Sequence, residues 1–292
     1  MQVFVVSGIA PGGCRRSRRS GASDGTDTPA QLVAQADADG LDVVALTDHD
    51  TSAGWSEAID AAERLGVGLL PGIEISCSWK GISVHLLGYL LDPADSALLA
   101  ELEAARSSRD DRARRIVEKL AVDVPITWAQ VEEQVGPGAT IGRPHIADAL
   151  VAADVVPDRT AAFDEYLYTG SPYYASHYAP DPVEAVRLVR AAGGVPVMAH
   201  PFAAKRGRLV PDSVIEDMAR AGLFALEGDH PDHDAGQRAK AISLAADLGL
   251  FVTGSSDYHG SGKPWRLAAC TTDPDVLEAL LAEPTHRGIV RP

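Results

Sequence analysis

Leu41-Asp42-Val43-Val44-Ala45-Leu46-Thr47-Asp48-His49-Asp50-Thr51 is the stretch on which the fold turns. Apart from Asp42 its first six residues are apolar, the pattern of a strand covered on both faces, and it ends in a polar run centred on a histidine. Upstream, Pro29 to Gly40 reads as a helix, with proline in the first turn, Leu32, Val33 and Ala36 on one side, and glycine past the end. Downstream, a helix runs to Leu65. A strand then spans Val67 to Ile75, where Pro71-Gly72 is expected to break it, and a third spans Ile82 to Leu90 with His85 inside it.

Alternating strands and helices predict an α/β fold with a mostly parallel sheet. The rhythm changes after Asp92-Pro93. Ser96 to Leu120 reads as one long charged helix, and shorter helical pieces continue to about Tyr168. The βα rhythm resumes at Pro182, with strands expected at Val195 to Ala199, Leu223 to Leu226 and Phe251 to Thr253. Residues 22–95 and 175–292 are therefore assigned to one barrel-like unit, 96–174 to a helical insertion, and 1–21 to an aberrant N-terminal segment.

The chain has 292 residues, 46% hydrophobic and 23% charged, with a formal net charge of −15. That composition is globular, and the acidity argues against binding duplex nucleic acid, whose phosphates want a basic face. Cys14, Cys77 and Cys270 are scattered and odd in number, which points to free thiols rather than a disulfide framework. No apolar run reaches the roughly 20 residues of a membrane span. Met1 to Ala10 has no basic segment before it, the wrong order for a secretory signal, so the expected location is cytoplasmic.

His49, Glu74, His85, His200, Asp257 and His259 fall at or near the ends of successive predicted strands. In a parallel barrel those ends converge on one rim. A single histidine there is more often structural, but His85 lies within an apolar strand and needs a partner. Six such groups falling together at successive strand ends point to a metal site, and imidazole with carboxylate suits zinc, manganese or iron.

The segments Ser23-Asp24-Gly25-Thr26-Asp27-Thr28-Pro29, Thr47-Asp48-His49-Asp50-Thr51, Pro71-Gly72-Ile73-Glu74, Val84-His85-Leu86-Leu87-Gly88-Tyr89, Ala199-His200-Pro201 and Gly254-Ser255-Ser256-Asp257-Tyr258-His259, in this order, closely resemble the PHP (polymerase and histidinol phosphatase) family. The resemblance implies a distorted, TIM-like seven-stranded (β/α) barrel and two or three divalent metals that hydrolyse phosphate esters. Within the family the chain looks like enzymes that remove the 3′-phosphate of nucleoside 3′,5′-bisphosphates, or trim short RNA. By motif, Glu74 would bridge metals and Asp257 would ligate the first. Asp24, His49 and His259 would surround the second, and His85 and His200 would hold a third beside Glu74.

The sequence departs from the pattern at its start. The family opens on a strand ending in His-Xaa-His, and the corresponding positions hold Ser17 and Arg19. A guanidinium carries no lone pair for a metal. The arginine, glycine and serine enrichment of residues 12–21 is what GC-rich coding sequence gives out of frame, and a frameshift or misassigned start is the preferred explanation over true divergence. The chain as it stands is expected to bind fewer metals at its first site and to be less active.

Arg143, in Gly142-Arg143-Pro144-His145, matches a family motif and is expected to hold phosphate with paired donors. His177 and His233 are further candidates to face the cleft, and Lys205-Arg206-Gly207-Arg208 to attract anions. Two alternatives stay open. One is an amidohydrolase-type metal hydrolase, disfavoured because no lysine stands at a strand end. The other is a catalytically silent nucleotide-binding protein, favoured by Ser17 and Arg19.

Overall fold

The computed structural model describes residues 5–7, 27–135, 141–260 and 265–291. In chain order its elements are β1 (Val5–Ser7), α1 (Pro29–Ala38), β2 (Leu41–His49), α2 (Trp55–Leu65), β3 (Gly68–Trp79) and β4 (Ile82–Tyr89). A helical stretch follows: α3 (Ser96–Leu120), α4 (Trp128–Glu132), α5 (Arg143–Ala152), α6 (Arg159–Ala162) and a π-helical turn (Phe163–Leu167). The chain ends with α7 (Pro182–Ala191), β5 (Val195–Met198), α8 (Asp212–Arg220), β6 (Ala225–Asp229), α9 (Ala235–Leu248), β7 (Phe251–Gly254) and α10 (Pro274–Ala282).

The strands form one curled sheet in the order β1-β2-β3-β4-β5-β6-β7. Three pairings, β2–β3, β5–β6 and β6–β7, are parallel, as βα repeats require. The other three, β1–β2, β3–β4 and β4–β5, are antiparallel. The fold is thus α/β, but its strands are not seven successive βα repeats. The hairpin between β3 and β4 explains one departure. Lys80 and Gly81 both have positive φ (47° and 77°), the two-residue turn whose twist matches flanking strands.

Pro71 does not break β3. It lies just past the end of β4, where Leu90 N–H donates to its carbonyl (2.9 Å). The return bond that proline cannot donate is made instead by Arg287 N–H, which reaches Leu90 O at 3.0 Å.

Side-chain alternation along the strands splits the core in two. Val44, Leu46, Leu69, Leu86, Met198 and Leu226 pack with α1, α2 and α7 to α9 on one face. Ala45, Leu70, Leu87, Val197 and Ala225 face the other way and close with Leu277 and Leu280 of α10. The helical stretch has its own cluster, in which Ile116 and Leu120 of α3 meet Ile146 and Leu150 of α5. No helix among the described residues is long and apolar enough to cross a membrane.

Candidate metal centre

Strand register assembles the first group of side chains. Parallel pairing sets His49 beside Glu74, and the β3–β4 hairpin sets His85 beside Ser76, one pleat further along. Ala199 N–H donates to His85 O (3.0 Å), which brings the following His200 to the same place. Around the buried Glu74 carboxylate stand His85 Nδ1 (2.6 Å), His49 Nε2 (3.5 Å) and His200 Nε2 (3.8 Å). The His49 and His85 rings are 5.0 Å apart and the His85 and His200 rings 5.1 Å.

These residues fit a metal. Both Glu74 oxygens, His85 Nδ1 and His200 Nε2 are buried and meet no partner at hydrogen-bonding angles, although they lie this close. Buried polar atoms rarely go unsatisfied, and lone pairs converging on one point are what an ion requires. Burial opposes ionisation of Glu74, but the charges of His49 and His85 and polar contact with His200 and His85 hold it well below the usual carboxylate range. Burial, then the nearby Arg206 charge, pushes the His200 imidazole well below its ordinary value, so it stands neutral, the ligating form.

A second group lies next along the rim, joined to the first by the His200–His230 ring contact at 5.4 Å. Here Asp257, buried at 1% exposure, is paired with the Arg206 guanidinium. Arg206 also grips Asp232 Oδ2 through Nε (2.8 Å) and Nη2 (2.6 Å). His259 Nδ1 lies 2.9 Å from Asp257 O, so it is the protonated nitrogen. Three of the residues at the rim adopt left-handed backbone without being glycine: Asp50 (φ 53°), His200 (φ 31°) and Asp257 (φ 47°). Asp24 lies outside the described residues.

Arg143 opens α5 with Gly142 as its cap residue, and its Nη1 donates to Leu167 O at 2.9 Å. His145 turns back and accepts Gly142 N–H (3.1 Å), which makes it a helix cap. A cavity of about 220 Å³ is lined by His49 and His85 from the sheet and by Arg109, Arg112, Arg143 and His177 from the other side. It adjoins a cleft of about 620 Å³ that continues past His200 to Arg206. Burial, then the Arg112 and Arg109 charges, lowers His177 to about 4, so it is neutral at physiological pH.

His233 is not brought to the cavity as a free group. Its Nε2 accepts Phe202 N–H (3.2 Å) and its Nδ1 donates to Gly228 O (3.0 Å), so both ring nitrogens are committed to backbone. That geometry positions the loop after His200.

Other site residues escaped sequence reading. Asp50, fully buried, receives Ser76 N–H (2.8 Å) and pairs with Arg109 (2.8 Å), which ties α3 to the rim beside the Glu74 group. Glu227 accepts His200 N–H (2.9 Å), and burial, with the Asp257 and Glu74 charges, pushes it up to about 8. Its signal was a carboxylate inside an apolar strand, the same signal that marked His85. Further along α3, Arg112 reaches Ala175 O (2.9 Å), Arg115 reaches Ser176 O (2.6 Å) and Lys119 reaches Tyr174 O (2.6 Å). Together they fix the segment that carries His177.

A family model described as the PHP domain matches residues 18–117. A 3′,5′-nucleoside bisphosphate phosphatase of Chromobacterium violaceum is 34% identical over 278 residues, 92% of this chain and 95% of that protein. This chain belongs to the PHP family. A second relative, a 5′-3′ exoribonuclease of Haemophilus influenzae, is 32% identical over 82% of this chain and 87% of its own length. A solved structure from Bifidobacterium adolescentis, assigned as a metal-dependent phosphoesterase, superposes with a TM-score of 0.87. It is 42% identical and covers 91% of this chain and 94% of its own.

Proposed function

We propose that this chain hydrolyses phosphate monoesters of small nucleotides, such as the 3′-phosphate of a nucleoside 3′,5′-bisphosphate, or of short RNA ends. The observation that carries the reading is the shared cavity. His49 and His85 on its sheet side, backed by the Glu74 carboxylate 2.6 Å from His85 and 3.5 Å from His49, face three arginines and a neutral histidine on its helical side. Glu74, His49, His85 and His200 would hold divalent metal there, with manganese, zinc or iron suited to the donor set. A bound divalent ion supplies an activated water and a counter-charge for phosphoryl oxygens.

The protein's own part is to bind and orient. Arg143 presents paired N–H donors to nonbridging oxygens and loses none of them to titration, because even a lowered guanidinium stays protonated near neutrality. Arg112, lowered to about 10 by burial and then by the Arg143 charge, likewise stays cationic. His177, being neutral, offers a hydrogen bond without adding charge. Residues 22–95 and 175–292 are read as a distorted seven-stranded (β/α) barrel closed by this sheet, and 96–174 as the inserted roof. Two or three metals are the family's complement, with the first position weakened where Ser17 and Arg19 replace His-Xaa-His. The net charge and scattered cysteines fit a cytoplasmic enzyme with no duplex nucleic-acid partner.

The amidohydrolase alternative lacks a lysine: among the described residues, none lines either cavity. The test is phosphate release from adenosine 3′,5′-bisphosphate with added manganese, comparing this chain with the Ser17→His/Arg19→His chain. Release by both, faster in the second, is expected. Release by neither overturns the substrate assignment and moves the silent nucleotide-binding reading forward.

A further inference from the structure

Asp257 stands where the family pattern places a metal ligand, yet the side chains around it do not fit an ion. Arg206 comes from the short turn Ala204–Arg206 just after His200 and lays its guanidinium on both Asp257 and Asp232. The fully buried His230 places Nε2 3.7 Å from the same Asp257 oxygen. Its Nδ1 accepts Asp232 N–H (3.0 Å), so the ring proton sits on Nε2, which makes no hydrogen bond itself but shows Asp257 an N–H rather than a lone pair. Although His230, Asp232 and Asp257 lie within 4.8 Å of one another, the group is built from donors facing a carboxylate. An arginine cannot shed its charge to make way, so it leaves only by moving.

We propose that Arg206 is the resident cation of the Asp257 half of the site, and that this chain loads divalent ions only at the Glu74 half. The sequence agrees from a separate direction. The two histidines that the family's pattern sets at its opening strand are Ser17 and Arg19 in this chain, which removes neutral ligands and leaves Asp257 in need of a protein-borne positive charge. This inference rests on the reading that the Glu74 group holds metal.

The test counts manganese bound per chain, by elemental analysis and calorimetric titration, for the wild type, Asp257→Asn and Glu74→Gln. Asp257→Asn is expected to keep the wild-type count and affinity, while Glu74→Gln loses its ions. An Asp257→Asn chain that binds one ion fewer, or binds at least tenfold more weakly, overturns the proposal. Crystals of the wild type soaked in manganese read the same point without a variant. An anomalous peak is expected beside Glu74, and a peak at the roughly 2.0–2.2 Å of a metal–carboxylate bond from Asp257 overturns it. If the wild type takes up no manganese at all, the metal reading of the Glu74 group is what fails. The role of Arg206 is then read from metal-free melting of Arg206→Met, Asp257→Asn and the double variant. Coupling between the two substitutions supports it, and additive effects overturn it.

Discussion

Glu74, inside β3, and Asp257, just past the end of β7, are both 1% exposed on one rim, and they meet opposite surroundings. Glu74 is ringed by three imidazoles whose nitrogens point at it without bonding to it. Asp257 is gripped by a guanidinium and approached by a histidine N–H. Both carboxylates have been taken out of water, at a cost that nearby positive charge offsets. One half of the site leaves that charge to be bound from solution, and the other carries it on its own loop. A single rim can therefore keep an ion-dependent region and an ion-independent one a few side chains apart.

The contrast breaks most visibly at Glu74. Glu74→Gln is expected to lose bound manganese and to slow phosphate release on the order of 10³-fold, since a metal contributes several kcal/mol to the barrier. Initial rates with metal analysis decide it, and retained metal would end the distinction. The next largest effect is on stability. Arg206→Met leaves two carboxylates without their cation and is expected to cost roughly 3 kcal/mol in metal-free urea unfolding, the loss typical of one partner removed from a buried pair. An unchanged midpoint would show that Asp257 does not depend on it.

Arg143→Ala sharpens the comparison by touching neither carboxylate. It is expected to lower kcat/KM about 10²-fold, as loss of one charge-assisted donor does, with manganese content unchanged. The smallest effect is a pH dependence. His177 sits at about 4 in the folded protein against 6.5 ordinarily, so between those values the unfolded chain binds the extra proton. The His177 contribution to stability is present above about 6.5 and is lost as pH falls toward 4. Melting temperatures of His177→Gln should rise relative to wild type across that window, and parallel curves would refute the assignment.

Much of this was legible in the sequence. Polar residues at or near the expected strand ends located His49, Glu74 and His200, although β3 runs on past Glu74 to Trp79, and His85 stood out because an imidazole inside a buried strand needs a reason. Strand direction was not legible, because an apolar run reads the same whether its neighbour is parallel or antiparallel. The clue was the two-residue step Lys80-Gly81, too short for a parallel crossover. Pro71 misled because the rule against proline in strands assumes a ladder bond at that residue, and β4 has just ended there. Arg206 was recognised only as part of a basic run. Nothing local states that its guanidinium meets Asp257, 51 residues away, since that contact exists only once β5 and β7 share a sheet.

The left-handed backbone at Asp50, His200 and Asp257 has a consequence of its own. Such conformations cost non-glycine residues about 1–3 kcal/mol each, and glycine would relieve the strain while deleting a functional side chain. A laboratory selection for heat tolerance alone would therefore find some of its easiest gains at the rim itself. The protein's chemistry would be worn away first at the positions where its chain is least comfortable.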